Sequence, residues 1–275
     1  MMHARRIVMG IEYDGSGFQG WQWQPEQRTI QSELESALSQ VADHPVRVVC
    51  SGRTDAGVHA LEQVVHFDAE VHRTDYAWVM GTNRHLPGDI RVRFAREISA
   101  DFHARTSAIA RVYHYQILNR PMHSALHRGQ LTWVPRPLNL EAMQEAGLCL
   151  VGERDFSSFR AKGCQSRSPI RFLHFIRIFR EGERVLIEVC ANAFLHHMVR
   201  NIAGALIEVG IGKRPSGWVK AVLDLKDREQ GGVTAPPDGL YFAGVYYPDA
   251  FDLPRHPAFA HLPAGARRFT PPPSD

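Results

Sequence analysis

Val49-Cys50-Ser51-Gly52-Arg53-Thr54-Asp55-Ala56-Gly57-Val58-His59-Ala60 lies between two β-rich runs, Val46–Cys50 before it and Val58–Phe67 after it. Its middle is small and polar, and two glycines bracket an Arg and an Asp. Glycine tolerates positive φ and lets a backbone approach a neighbour closely. Arg53 and Asp55 can therefore be held on a tight turn with nothing bulky beside them. One reading is an ordinary hairpin, with Asp55 capping the turn and Arg53 in solvent. The other is a carboxylate set for chemistry, kept ionised by an adjacent Arg as a nucleophile requires.

The flanking sequence places this turn in a recognisable order. Arg5 to Asp14 is β-rich and reads as a strand. Thr29 to Ala42 puts Ile30, Leu34, Ala37, Leu38 and Val41 on one helical face, with Thr29 as N-cap. The two runs around Asp55 are the next strands. Thr74 to His85 fits a helix, stopped by Leu86-Pro87-Gly88-Asp89, and Ile90 to Ile98 alternates as a strand. The order β-α-β-β-α-β is the ferredoxin-like unit.

The second half repeats that order less sharply. Ile109–Leu118 reads as a strand. A Pro-rich basic linker follows, and then a helix from Asn139 to Leu150. Phe172–Phe179 and Arg184–Ala191 form a hairpin around Glu181-Gly182. Helices are expected over Phe194–Val209 and Ser216–Leu225, and Gly239–Tyr247 is the last strand. The expected fold is α+β: two tandem ferredoxin-like halves, 1–105 and 106–247, fused into one extended, mainly antiparallel sheet flanked by helices. Pro-rich residues 248–275 are expected to be a poorly ordered tail.

Asp14-Gly15-Ser16-Gly17-Phe18-Gln19-Gly20 satisfies a dinucleotide-binding glycine pattern in its letters only. That fingerprint needs a helix to open at once, and here Trp21, Trp23, three glutamines and Pro25 intervene. The loop suits a large polar ligand; Phe18, Trp21 and Trp23 read equally well, one by one, as core lids. The net charge of +3 says little about partners. The start shows no long apolar run, and no segment reaches the length of a membrane span, so the cytoplasm is expected. Cys50, Cys149, Cys164 and Cys190 lack paired-ligand spacing, and no metal site is expected. Adjacent His196 and His197, read as neighbours on a helix, would point in different directions.

The Arg53-Thr54-Asp55-Ala56-Gly57-Val58-His59 run closely resembles the active-site motif of the TruA-type tRNA pseudouridine synthases, in which the Asp is catalytic. Thr29–Glu35 is similar to the family's first helix. Phe102-His103-Ala104-Arg105 with Arg111-Val112-Tyr113-His114-Tyr115 resembles its tyrosine motif. Phe194–Ile202 resembles its arginine helix, and Gly239-Leu240-Tyr241 its final strand. The match runs in order from about residue 6 to 247.

The resemblance implies isomerisation of uridine to pseudouridine at positions 38, 39 and 40 of the tRNA anticodon arm, by a cytoplasmic homodimer without a cofactor. It implies Asp55 as catalytic group, Tyr113 stacked on the target base, Arg200 as partner of Asp55, Arg53 on RNA, and Leu240 under the base. Two such halves fused edge to edge would leave a groove across their junction wide enough for folded RNA, the expected RNA-binding cleft. Asp55 can attack C1′, attack C6, stabilise a sugar cation or take the C2′ proton, and the sequence does not separate these. Arg84, Arg105, Arg111, Lys162, Arg167 and Arg171 are candidates for a basic track, which would make binding strongly salt-dependent. The rival reading is a non-catalytic RNA-binding protein of two RRM-like halves; against it, the RNP1 pattern is missing.

Overall fold

Apolar period and capping residues account for most of the elements in the computed structural model, which describes residues 4–254. In the first unit, residues 4–108 with 242–254, the order is β1 (Arg5–Tyr13), α1 (Ile30–Ala42), β2 (Val49–Cys50), β3 (His59–Ala69), α2 (Asp75–His85) and β4 (Ile90–Ile98). The unit ends with the Phe242–Tyr246 part of β10 (Leu240–Tyr246). This is the β-α-β-β-α-β order expected from the sequence. The sheet runs β4-β1-β3-β10, with β2 on β3, and the β1–β3, β1–β4 and β2–β3 pairs are antiparallel.

Helix α1 begins where expected. Thr29 accepts from the Ser32 N–H, and the Ser32 hydroxyl returns to the Thr29 N–H, a reciprocal cap. Thr74 caps α2 in the same way by accepting from the Ala77 N–H. The strand expected over Val46–Cys50 is shorter, because α1 side chains take its first donors. The Val46 N–H goes to Ser39 Oγ and the Val48 N–H to Glu35 Oε1.

The second unit, residues 109–241, holds β5 (Ala110–Leu118), β6 (Thr132–Trp133), α3 (Leu140–Leu148), β7 (Gly152–Asp155), β8 (Ile170–Glu181), β9 (Arg184–Ala191), α4 (Met198–Gly210) and α5 (Trp218–Leu225). Its sheet runs β5-β9-β8-β7 through antiparallel pairs, and β6 joins β5 in parallel. The fold is thus α+β and mainly antiparallel. Strands β6 and β7 were not expected: two and four residues are too short to show a period of two.

Three boundaries differ from the sequence reading. The arginine helix opens at Met198, not Phe194, because His197 is left-handed (φ 60°). The last strand divides between the units at Phe242. Residues 248–254 do not begin a loose tail. Asp249–Phe251 forms a 3-10 turn, and Phe251 lies edge-on to Phe102, with centroids 5.1 Å apart. The rest of the expected tail, 255–275, lies outside the described residues.

Two local contacts yield tests of the fold. A Cβ at Gly204 on α4 would clash with the Val233 carbonyl oxygen. Alanine ordinarily favours a helix by about 1 kcal/mol over glycine, but here overpacking of about 1–3 kcal/mol is set against it. Gly204→Ala should therefore lower the urea midpoint.

His66, buried on β3, accepts the Ala104 N–H at Nδ1 (3.1 Å). Burial, with Arg6 and His103 adding to it, lowers its pKa to about 4. The unfolded chain takes this proton near pH 6.5. Between those values the unfolded state binds more protons, so stability falls as pH drops from about 6.5 towards 4. His66→Asn keeps an acceptor and removes the titration; denaturation across that range should show a flatter pH profile.

Candidate active site

The Asp55 turn is held from both sides by backbone and buried polar side chains. On entry, Gln63 Oε1 accepts the Ser51 hydroxyl (2.6 Å) and the Gly52 N–H (3.3 Å). In the middle, Tyr13 OH and Thr54 Oγ1 lie 2.8 Å apart, both buried. Burial pushes the Tyr13 phenol well above its ordinary pKa, so this hydroxyl stays protonated and available as a donor. On exit, the Val58 N–H returns to the Asp55 carbonyl (3.2 Å).

The loop after β1 lies directly on this turn. The Trp21 N–H donates to the Thr54 carbonyl (2.9 Å), and the Gly57 N–H to the Phe18 carbonyl (3.3 Å). Gly20 has φ 84°, and a Cβ there would meet Thr54 O at 2.8 Å and Asp55 C at 3.0 Å. The glycine pattern that mimics a nucleotide fingerprint is thus a device for packing one backbone against another. Phe18 and Trp21 are core residues, 3% and 2% exposed. The loop does not open a helix; Gly15–Gly17 is a single 3-10 turn.

This framework presents Asp55 half-buried between exposed Arg53 and Ala56, while Thr54 points inward. Cys50, at the end of β2, is buried, and its thiol pKa is pushed up. The charges of Arg105 and Arg53 oppose that shift. Both guanidinium groups therefore act on the strand end that leads into the turn.

In the second unit the structure separates two tyrosines that share a strand face. Tyr115 is fully buried; its hydroxyl lies 2.6 Å from Thr132 Oγ1 and donates to the Pro236 carbonyl (2.9 Å). Burial raises its pKa. Tyr115 is committed to the core. Tyr113, 9% exposed, meets the Phe194 ring edge-on, with centroids 4.9 Å apart and planes at 76°.

Arg200 lies in the first turn of α4 and is half-buried. Its Nε donates to the Ala235 carbonyl (2.8 Å), and the Ala235 N–H donates back to the Arg200 carbonyl (3.1 Å). Next to it, fully buried Asn201 donates to the Phe159 carbonyl (2.7 Å) and accepts from Arg228 and Thr234. This hub ties three segments to the start of α4. Sequence reasoning missed it, as it missed Tyr13 and Gln63. The available signal was a polar residue within an apolar period.

His196 and His197 are not both on the helix, and their rings do not point apart. They lie just before α4, 4.1 Å centroid to centroid and tilted by 43°. Leu240 is buried at the start of β10, and its N–H donates to the Pro237 carbonyl (2.8 Å).

The proposed basic track loses one member. Arg171 is 4% exposed and donates to Ser168 O (3.0 Å), Ile170 O (2.6 Å) and Ser166 Oγ (2.7 Å). Lys162 pairs with Glu229 at 2.9 Å, and Arg111 donates to Asn192 O. Arg84, Arg105 and Arg167 are exposed. Among the described residues no helix is long and apolar enough to cross a membrane.

The braced turn presents its carboxylate half-buried, with exposed Arg53 two residues before it. The family model described as tRNA pseudouridine synthase matches residues 9–107 and 148–248. A tRNA pseudouridine synthase A of Methylococcus capsulatus is 62% identical over 266 residues, 97% of this chain and 98% of that protein. Those of Nitrosococcus oceani and Coxiella burnetii are each 54% identical, over 91% and 92% of this chain and 96% and 97% of their own lengths. The chain belongs to the tRNA pseudouridine synthase family, a family of isomerases.

The turn's bracing is testable. Tyr13→Phe leaves the buried Thr54 hydroxyl without this partner, at a cost of about 1–3 kcal/mol. The variant should unfold at lower denaturant. In a tRNA assay it should lose kcat while KM changes little, because the Asp55 turn is loosened and the RNA-facing surface is intact.

Proposed function

We propose that this protein, as a cytoplasmic homodimer, isomerises uridine to pseudouridine at positions 38, 39 and 40 of the tRNA anticodon stem-loop, with Asp55 as nucleophile and no cofactor. The observation that carries the proposal is the turn itself. The seven residues Arg53–His59 hold the family motif, and Asp55 is the one carboxylate on that motif. It is half-buried and fixed through Thr54 and Gly57.

The reaction balances without an external reactant. The uridine N1–C1′ bond breaks, the base turns, and a C5–C1′ bond forms. C5 loses a proton and N1 gains one. No electrons are gained or lost, so no redox partner is required. An ionised Asp55 against the ribose attacks and later leaves, and a covalent intermediate divides one difficult step into two.

Between breakage and rejoining, the base must be retained while it turns. We assign that task to stacking on Tyr113, with Leu240 as the apolar surface beneath the base. Stacking on an aromatic contributes roughly 1–3 kcal/mol per base and demands little direction in the plane. The commitment of Tyr115 to Thr132 and Pro236 supports Tyr113 as the acting tyrosine. Arg200 and Arg53 supply positive charge for the substrate, and the exposure of Arg53 suits RNA phosphate. Flipping a nucleotide costs on the order of a few kcal/mol, which such contacts offset. Serving three neighbouring positions fits recognition of RNA shape.

The test is tritium release from tRNA labelled at uridine C5, with wild type beside Asp55→Asn. Wild type should release label from transcripts with uridine at 38, 39 or 40. Asp55→Asn should bind the same tRNA with similar affinity and release none. Release by the variant at the wild-type rate would remove Asp55 from the chemistry, and release only from uridines elsewhere in tRNA would overturn the assigned positions.

A further inference from the structure

Three aromatic residues occupy the loop between β1 and α1, and the fold treats the third differently. Phe18 and Trp21 are taken into the core, whereas Trp23 is 50% exposed. About half of this large aromatic surface stays in water, where it adds nothing to the fold.

Its exposure is not that of a loose segment. The Trp23 N–H donates to Gln31 Oε1 (3.0 Å), and Gln22 Nε2 donates to the same oxygen (3.1 Å). The Gln31 N–H donates to the Trp21 carbonyl (3.0 Å). Gln31 Nε2 donates in turn to Glu35 Oε1 (2.8 Å), and Glu35 receives the Val48 N–H (3.0 Å), immediately before β2. Gln24 Nε2 closes the loop on the Gln19 carbonyl (3.1 Å). The backbone carrying Trp23 is therefore fixed to α1 and, through Glu35, to the strand that leads into the Asp55 turn.

The indole is also close to that turn along the chain. Trp21, whose N–H is bonded to Thr54, is two residues away, at most roughly 7 Å of extended backbone. The nearest cation in the loop is already engaged. Arg28 forms a two-bond pair with Asp89 (2.9 and 3.0 Å), also meets Glu33 (3.1 Å), and lies over the Phe18 ring at 4.1 Å. What this loop offers an RNA is accordingly a flat apolar ring among amides.

From this we propose that Trp23 is a stacking platform for an unpaired nucleotide neighbouring the target uridine, and so a positioning residue of the reaction. The inference rests on the reading of Asp55 as the catalytic centre. A base has a π-face whatever its identity, so the platform tolerates different tRNA sequences while fixing the register of the strand. It acts in binding and placement and takes no part in bond making.

The experiment compares Trp23→Ala, Trp23→Phe and wild type on an anticodon stem-loop RNA. Affinity is measured in the Asp55→Asn background, and tritium release in the active protein. Trp23→Ala should weaken binding and raise KM by about 5- to 150-fold, the range of one stacked base, with kcat within about twofold. Trp23→Phe should recover most of the loss. In a series of stem-loops with a single abasic nucleotide at each loop position, one RNA should bind wild type and Trp23→Ala equally, and that position identifies the stacked base.

Equal affinity of wild type and Trp23→Ala for the intact RNA would overturn the proposal. So would a Trp23→Ala loss that every abasic RNA retains, or a changed oligomeric state with unchanged affinity. If wild type binds but releases no label, the catalytic reading fails, while the affinity and abasic arms still decide the role of Trp23.

Discussion

The hydrogen bond from the Trp21 N–H to the Thr54 carbonyl is the contact on which the Asp55 turn depends. It joins two irregular segments, the loop after β1 and the turn between β2 and β3. It forms because Gly20 carries no side chain and adopts a positive φ, so two backbones can lie against each other. A single hydrogen bond contributes only about 1 kcal/mol net. Its importance lies in satisfying backbone groups that would otherwise be buried without partners. Tyr13 and Gln63 complete the arrangement from β1 and β3, the two central strands of the first unit. Asp55 is thus carried by a loop, but the loop is referenced to the sheet.

The second unit solves a comparable problem by other means. The start of α4 has no side-chain cap, and His197 enters it in a left-handed conformation. Its position is set by the exchange between Arg200 and Ala235 and by the buried amide of Asn201. The close approach of Val233 to Gly204 adds a steric stop. A guanidinium whose Nε is engaged by a carbonyl has one defined direction for its remaining donors, which suits a residue assigned to hold charge in place. The two tyrosines of β5 divide along similar lines. Tyr115 spends its hydroxyl on Thr132 and Pro236 and locks the core, and Tyr113 meets the Phe194 ring.

An isomerisation that detaches and reattaches a base asks a protein mainly to hold parts still. Little acid–base equipment is needed beyond a carboxylate, and positioning becomes the larger task. The structure is consistent with that division. Buried neutral polar contacts brace the backbone of the motif. The exposed Trp23 is carried by a loop that is itself bound to the Asp55 turn.

Much of this protein was legible in its residues. The period of α1, its Thr29 cap and the alternation in Ile90–Ile98 determined the elements of the first unit, because each depends on neighbours within a turn or two of chain. The motif around Asp55 determined the family. What the chain alone left open were contacts between residues far apart in sequence. The glycines at 15, 17 and 20 spell a nucleotide motif until Gly20 is seen against Thr54. Tyr113 and Tyr115 are equivalent until one hydroxyl meets Pro236, 121 positions away. Arg171 reads as a surface charge until its loop folds over it. Local propensity is written in short windows of sequence. The partner of a buried polar group is chosen by the packing of whole elements, and that is decided only when the chain is folded.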